Sequence, residues 1–117
     1  MADVAMILKR APYGCVSAAE AVRHAMGAVV NEMSVDMVLV DGGVLLAKKG
    51  QDDAGTGLTG LEGPLKDCLE MEIPVYVDEG SLKAQGLAAE DLIDGVKRAN
   101  FSEIARLLKN ARTTIIF

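Results

Sequence analysis

Residues 4–8, Val-Ala-Met-Ile-Leu, form an uninterrupted apolar run that is too short for a helix and lacks the polar alternation of a half-exposed strand. A run of this kind fits a strand buried on both faces, as in a parallel sheet covered by helices. Further short strand-like segments follow at 35–40, 73–77, 95–99 and 113–117. Helical patterns separate them. From Ser17 onward, Ala18, Val22, Ala25, Met26, Val29 and Val30 recur at spacings of three and four, while Glu20, Arg23, His24 and Gly27 fall on other faces, so His24 reads as a solvated helix residue. Ser17 and Glu20 have the S-x-x-E spacing of a capping box. Residues 64–71 put Leu61, Leu65, Cys68 and Leu69 on an inward stripe. Residues 44–48 and 89–93 read as single helical turns, residues 81–85 as a short helix stopped by Gly86, and Ser102 as the cap of a helix reaching Asn110. Strands alternating with helices predict an α/β fold of three layers, a five-stranded mostly parallel sheet with helices on both faces.

The 117 residues suit one domain, 1–117, large enough to bury roughly two-thirds of the unfolded surface. Apolar runs fall far short of the roughly 20 residues of a membrane span. The first run is followed by Lys9 and Arg10 rather than preceded by charge, unlike a secretory signal, so a cytoplasmic location and no membrane association are expected. Seventeen acids against 12 bases, with the bases scattered, oppose nucleic-acid binding. Tyr13, Tyr76, Phe101 and Phe117 are too few to stack bases. Cys15 and Cys68 lack zinc-site spacing and His24 is the only histidine, so neither a metal nor a cofactor is expected. Five glycines at 50, 55, 57, 60 and 63 lack the G-K-[ST] ending of a phosphate loop. Residues 50–63 read as a surface loop, with a lid over a ligand as the alternative.

Ligands of open α/β sheets bind beyond the carboxyl ends of the strands. The expected rim is therefore Tyr13, Gly14, Cys15 and Ser17 after the first strand, Asp41, Gly42 and Gly43 after the second, and Asp78, Glu79 and Gly80 after the third. Cys15 is the candidate catalytic nucleophile, placed where a helix start favours thiolate, with Asp41 or Asp78 expected to oppose that shift. Cys68 falls on a buried helix face and reads as inert. Asp78 and Glu79 have no histidine partner for acid/base work, and read as a solvated turn that also caps the helix near Ser81.

The segment Ile73-Pro74-Val75-Tyr76-Val77-Asp78-Glu79-Gly80-Ser81-Leu82 resembles the region of DsrE/DsrF/TusD/TusC sulfur-relay proteins in which a strand ends on a persulfide-carrying cysteine. Ala11-Pro12-Tyr13-Gly14, Val40-Asp41-Gly42-Gly43-Val44, Glu90-Asp91-Leu92-Ile93-Asp94-Gly95-Val96 and Thr113-Thr114-Ile115-Ile116-Phe117 resemble other segments of that family, in the same order. The resemblance implies the family's fold, assembly as a homotrimer or hexamer, and sulfur-relay partner proteins. At the relay position itself stand Val77, in the TusD-like alignment, and Asp78, in the TusC-like one, and neither can hold a sulfane sulfur. The resemblance therefore implies a non-catalytic or binding member. The alternatives are a persulfide carrier using Cys15 and a small-ligand-binding protein unrelated to sulfur.

Overall fold

Five strands, β1 (Val4–Leu8), β2 (Val35–Leu39), β3 (Val75–Asp78), β4 (Lys97–Ala99) and β5 (Thr113–Ile116), lie in the order β4-β3-β2-β1-β5 in a computed structural model that describes residues 2–13, 15–50 and 61–117. All four pairings are parallel. The chain therefore crosses over after every strand, through α1 (Ser17–Val30), α2 (Glu62–Glu70), α3 (Glu79–Ala84) and α4 (Phe101–Asn110). A 3-10 segment, Asp41–Ala47, follows β2, and a second, Ala89–Asp91, precedes β4.

The period-two alternation of strand side chains divides the core in two. Val4, Met6, Leu8, Val35, Met37, Leu39, Val75 and Val77 pack with Ala18, Ala21, Val22 and Ala25 of α1 and Leu65 and Cys68 of α2. On the opposite face Val38 and Ala99 meet Ile104 of α4, with Ile7, Val40, Tyr76 and Leu108 around them. Crossovers on both faces are what a right-handed chain needs when it adds β2, β3 and β4 to one side of β1 and then returns to place β5 on the other. α4 covers the β3 side of its face, and β5 is exposed along its whole length. Thr114 and Ile116 are in register with Ala5 and Ile7 and share that face with α4, but Ile116 remains 63% exposed.

All four helix starts differ from the sequence expectation, α3 by beginning at Glu79 rather than Ser81. Val16 occupies the position before α1 and Ser17 is already helical, without a side-chain cap. The Glu20 carboxylate is drawn instead to Arg23, 2.6 Å away, so the expected box does not close. Asn100, not Ser102, caps α4. Its Oδ1 accepts from the Glu103 N–H at 2.9 Å while Glu103 accepts from the Asn100 N–H at 3.2 Å. α2 begins two residues before Pro64, which a first helical turn accommodates because its N–H is not needed there.

Candidate functional site

Two rim turns meet over the end of β1. The Val40 N–H donates to the Leu8 carbonyl at 3.0 Å and the Gly43 N–H to the Lys9 carbonyl at 3.2 Å. The approach requires glycine, because a Cβ at position 43 would stand 2.1 Å from the Leu8 carbonyl oxygen. Asp41 turns the chain with φ of 51°, in the left-handed region that aspartate tolerates better than most residues.

The third turn is tied to the second by a buried hydroxyl. The Asp41 N–H donates to Ser81 Oγ at 2.8 Å, and Ser81 Oγ donates to Asp78 Oδ2 at 2.6 Å. Oδ2 also accepts the Ser81 N–H at 3.0 Å, which makes Asp78 the N-cap of α3. Asp78 thus caps α3 as the sequence expects, but it is half-buried and committed to Ser81 rather than solvated. Its neighbours Val77, fully buried, and Leu82 belong to the core. Glu79 and Gly80 are exposed in the first turn of α3.

Cys15 lies apart from this linkage. Its exposed thiol donates to the Ala11 carbonyl at 3.7 Å. The Ser17 N–H beside the sulfur is the largest influence on it; partial desolvation opposes, and the Ser17 hydroxyl and Arg10 guanidinium reinforce, leaving the pKa below the ordinary thiol value. The groups that lower the pKa of Cys15 are thus Ser17 and Arg10, where the sequence expects Asp41 or Asp78 to oppose the shift. Ser17 therefore faces the thiol rather than capping its helix. Tyr13 is about half exposed, Gly14 lies outside the described residues, and so do residues 51–60 of the loop read as a possible lid. At that loop's base the Gly50 N–H donates to Glu62 at 2.7 Å.

Cys68 is fully buried in α2, and desolvation, with Asp67 adding to it, pushes its pKa up to about 11. His24 is exposed on α1, donates from Nδ1 to the Glu20 carbonyl at 2.7 Å, and lies against Phe117 with ring centroids 5.7 Å apart. Among the described residues no group of three His, Cys, Asp or Glu side chains could hold a metal.

The rim extends further than the first three turns. A cleft of about 670 Å³ opens beside Asp78 at the carboxyl ends of β3 and β4, with Glu79, Lys83, Leu87, Arg98 and Phe101 in its walls. Arg98 and Phe101 escape a reading that stops at the third strand. Their signal was the placement of Asn100-Phe101 immediately after a strand on the same sheet edge.

The sequence model of the DsrE/DsrF-like family matches residues 2–117. The chain belongs to the DsrE/DsrF-like family. Its similarity to an uncharacterized protein of Methanopyrus kandleri is 34% identity over 116 residues, spanning 97% of this chain and 93% of that one. The intracellular sulfur oxidation protein DsrF of Allochromatium vinosum is 29% identical over 112 residues, spanning 91% of this chain and 82% of that one. Among solved structures, the ychN protein from E. coli superposes with a TM-score of 0.90 over the whole of both chains at 22% identity. A protein of unknown function from Methanobacterium thermoautotrophicum gives a TM-score of 0.75 at 15% identity, over 97% of each chain. The DsrE-like fold expected from the sequence is thus the fold found. Within that fold the carboxyl end of β3, where the family resemblance places a relay thiol, carries a carboxylate bound to Ser81.

Proposed function

We propose that this DsrE/DsrF-like chain is a binding or scaffolding member of a sulfur-relay system and does not itself carry sulfur at the end of β3. Persulfide transfer proceeds by attack of a thiolate on sulfane sulfur, so a carrier position needs a thiol. The observation that carries the reading is the Asp78 carboxylate, held by both donors of Ser81 while its neighbour Val77 is fully buried. The resemblance to DsrF of Allochromatium vinosum supports the sulfur context. A binding role extends to the rim of Tyr13, Gly14, Ser17, Asp41, Gly42, Gly43, Asp78, Glu79 and Gly80. The chain assembles as a homotrimer or hexamer in this reading, which the uncovered β5 with Ile115 and Ile116, and the exposed Val16 and Val30, support. No helix among the described residues is long and apolar enough to cross a membrane.

A second reading has a specific observation in its favour. Cys15 is exposed and its thiol is shifted toward thiolate by Ser17 and Arg10, as a persulfide carrier requires. In that chemistry the Cys15 thiolate attacks the terminal sulfur of a donor persulfide, the donor leaves as a thiolate, and Cys15 becomes the persulfide. Intact-mass analysis after incubation with a persulfide donor separates the two. The binding role predicts no stable adduct on the native protein. An added sulfur, roughly 32 Da on a cysteine, that disappears in Cys15→Ser would establish the second reading.

A further inference from the structure

The β3–β4 cleft brings two cationic side chains, Lys83 and Arg98, together beside exposed apolar surface. Lys83 comes from α3 and Arg98 from β4, and among the described residues neither lies within ion-pair distance of an acid, although the chain has a net charge of −5. Of the two acids in the cleft, Asp78 turns its Oδ2 to Ser81, leaving Glu79 as the uncommitted one. Apolar surface lies beside these charges in the partly exposed Leu87 and in Phe101, which is 83% exposed. A volume of about 670 Å³ is that of a small-molecule pocket, in which apolar walls supply most of the contact and a few polar groups set orientation.

We propose that this cleft binds a small organic anion, its carboxylate or phosphate held by Arg98 and Lys83 and its apolar body against Phe101 and Leu87. Arg98 is suited to this role because a guanidinium can grip a carboxylate through two parallel hydrogen bonds, whereas Lys83 adds a movable point charge. A ring or short hydrocarbon on the ligand would cover the exposed face of Phe101. Asp78 contributes as a fixed wall, since its carboxylate remains with Ser81. The inference names the ligand class of the binding role proposed above and rests on that role. Its outcome is nonetheless separate, because the measurement below does not read sulfur on any cysteine.

The test is ligand-observed NMR titration of the full-length protein with sodium benzoate, benzyl alcohol and sodium phosphate, repeated with Arg98→Gln and Phe101→Ala. Both substituted side chains are exposed, so the variants should fold, and circular dichroism checks that they do. Benzoate is expected to bind saturably and to weaken about tenfold in Arg98→Gln, from loss of a charge-assisted pair. A loss of a few-fold is expected in Phe101→Ala. Benzyl alcohol, which has the ring without the charge, should not compete. Lack of saturable benzoate binding, or undiminished binding in Arg98→Gln, would overturn the proposal. Competition by benzyl alcohol as strong as that by benzoate would remove the anion from it, and phosphate binding as tight as benzoate with no effect of Phe101→Ala would remove the apolar body. Benzoate binding together with sulfur uptake on Cys15 would refute the non-carrier role and leave the cleft standing.

Discussion

Asp78 and Ser81 form a linked unit, and a double-mutant cycle measures how strongly. In Asp78→Ala, α3 loses its N-cap, which typically costs about 0.5–2 kcal/mol, and the buried Ser81 hydroxyl loses the acceptor 2.6 Å away. A hydrogen bond to an ionised group contributes roughly 1.5–3 kcal/mol, so with overlap between the two terms the expected loss is about 2–3 kcal/mol. Ser81→Ala removes the same hydroxyl from the other side and also orphans the Asp41 N–H. An unsatisfied, partly buried donor places that loss at about 1–3 kcal/mol. Both changes delete the Ser81 Oγ to Asp78 contact, so the double variant should lose less than the sum, by about 1–1.5 kcal/mol. Urea denaturation at fixed protein concentration is the assay, with unchanged slopes required for the comparison. Additive losses within about 0.5 kcal/mol would show that the two residues act independently and would refute the shared-hydroxyl account of how the second and third turns are joined.

Other expectations follow from individual contacts. Gly43→Ala should destabilise by about 3 kcal/mol or more, because the new Cβ meets the Leu8 carbonyl oxygen rather than a movable side chain; a urea midpoint within error of the native one would contradict that. Native alkylation at pH 8 followed by peptide mapping should label Cys15 and spare Cys68, whose pKa of about 11 and full burial both oppose reaction. Equal labelling would mean that α2 opens readily. Desolvation raises the pKa of Asp36 in the fold, with Lys97 opposing, so its charge disfavours folding at neutral pH and that penalty fades as pH falls through the raised value. Asp36→Asn should therefore be more stable than the native protein at pH 7, with the advantage shrinking toward pH 4; an advantage that grows on acidification would reverse the sign.

The strands were legible because buried parallel strands leave short apolar runs, and each of the five sits within two residues of its expected bounds. Helix starts were less legible, since Asn100 and Ser102 both suit a cap and only the chain direction after β4 selects Asn100. The candidate site was visible only in part. The rule that ligands gather at strand carboxyl ends located Asp41 and Asp78, and the D-x-x-S spacing permits Asp78 to cap toward Ser81. What local sequence could not show is that Ser81 Oγ also receives the N–H of Asp41, a contact across 40 residues that depends on β2 and β3 being neighbours. Cys15 illustrates the opposite failure. Its position before a helix was plain, but the largest influence lowering its pKa is the Ser17 N–H, with the Ser17 hydroxyl and Arg10 adding to it.

The most direct test of the carboxylate-for-thiol account compares Cys15→Ser with Cys15→Ser/Asp78→Cys after incubation with a persulfide donor. The new thiol would stand where the Ser81 N–H and hydroxyl now converge on Asp78 Oδ2, donors that favour thiolate as they favour carboxylate. Intact-mass analysis should show one added sulfur, about 32 Da, on the double variant, mapped to position 78, and none on Cys15→Ser. Failure of a folded double variant to take up sulfur, or equal uptake by both proteins, would contradict the claim that Asp78 occupies the place of a relay thiol.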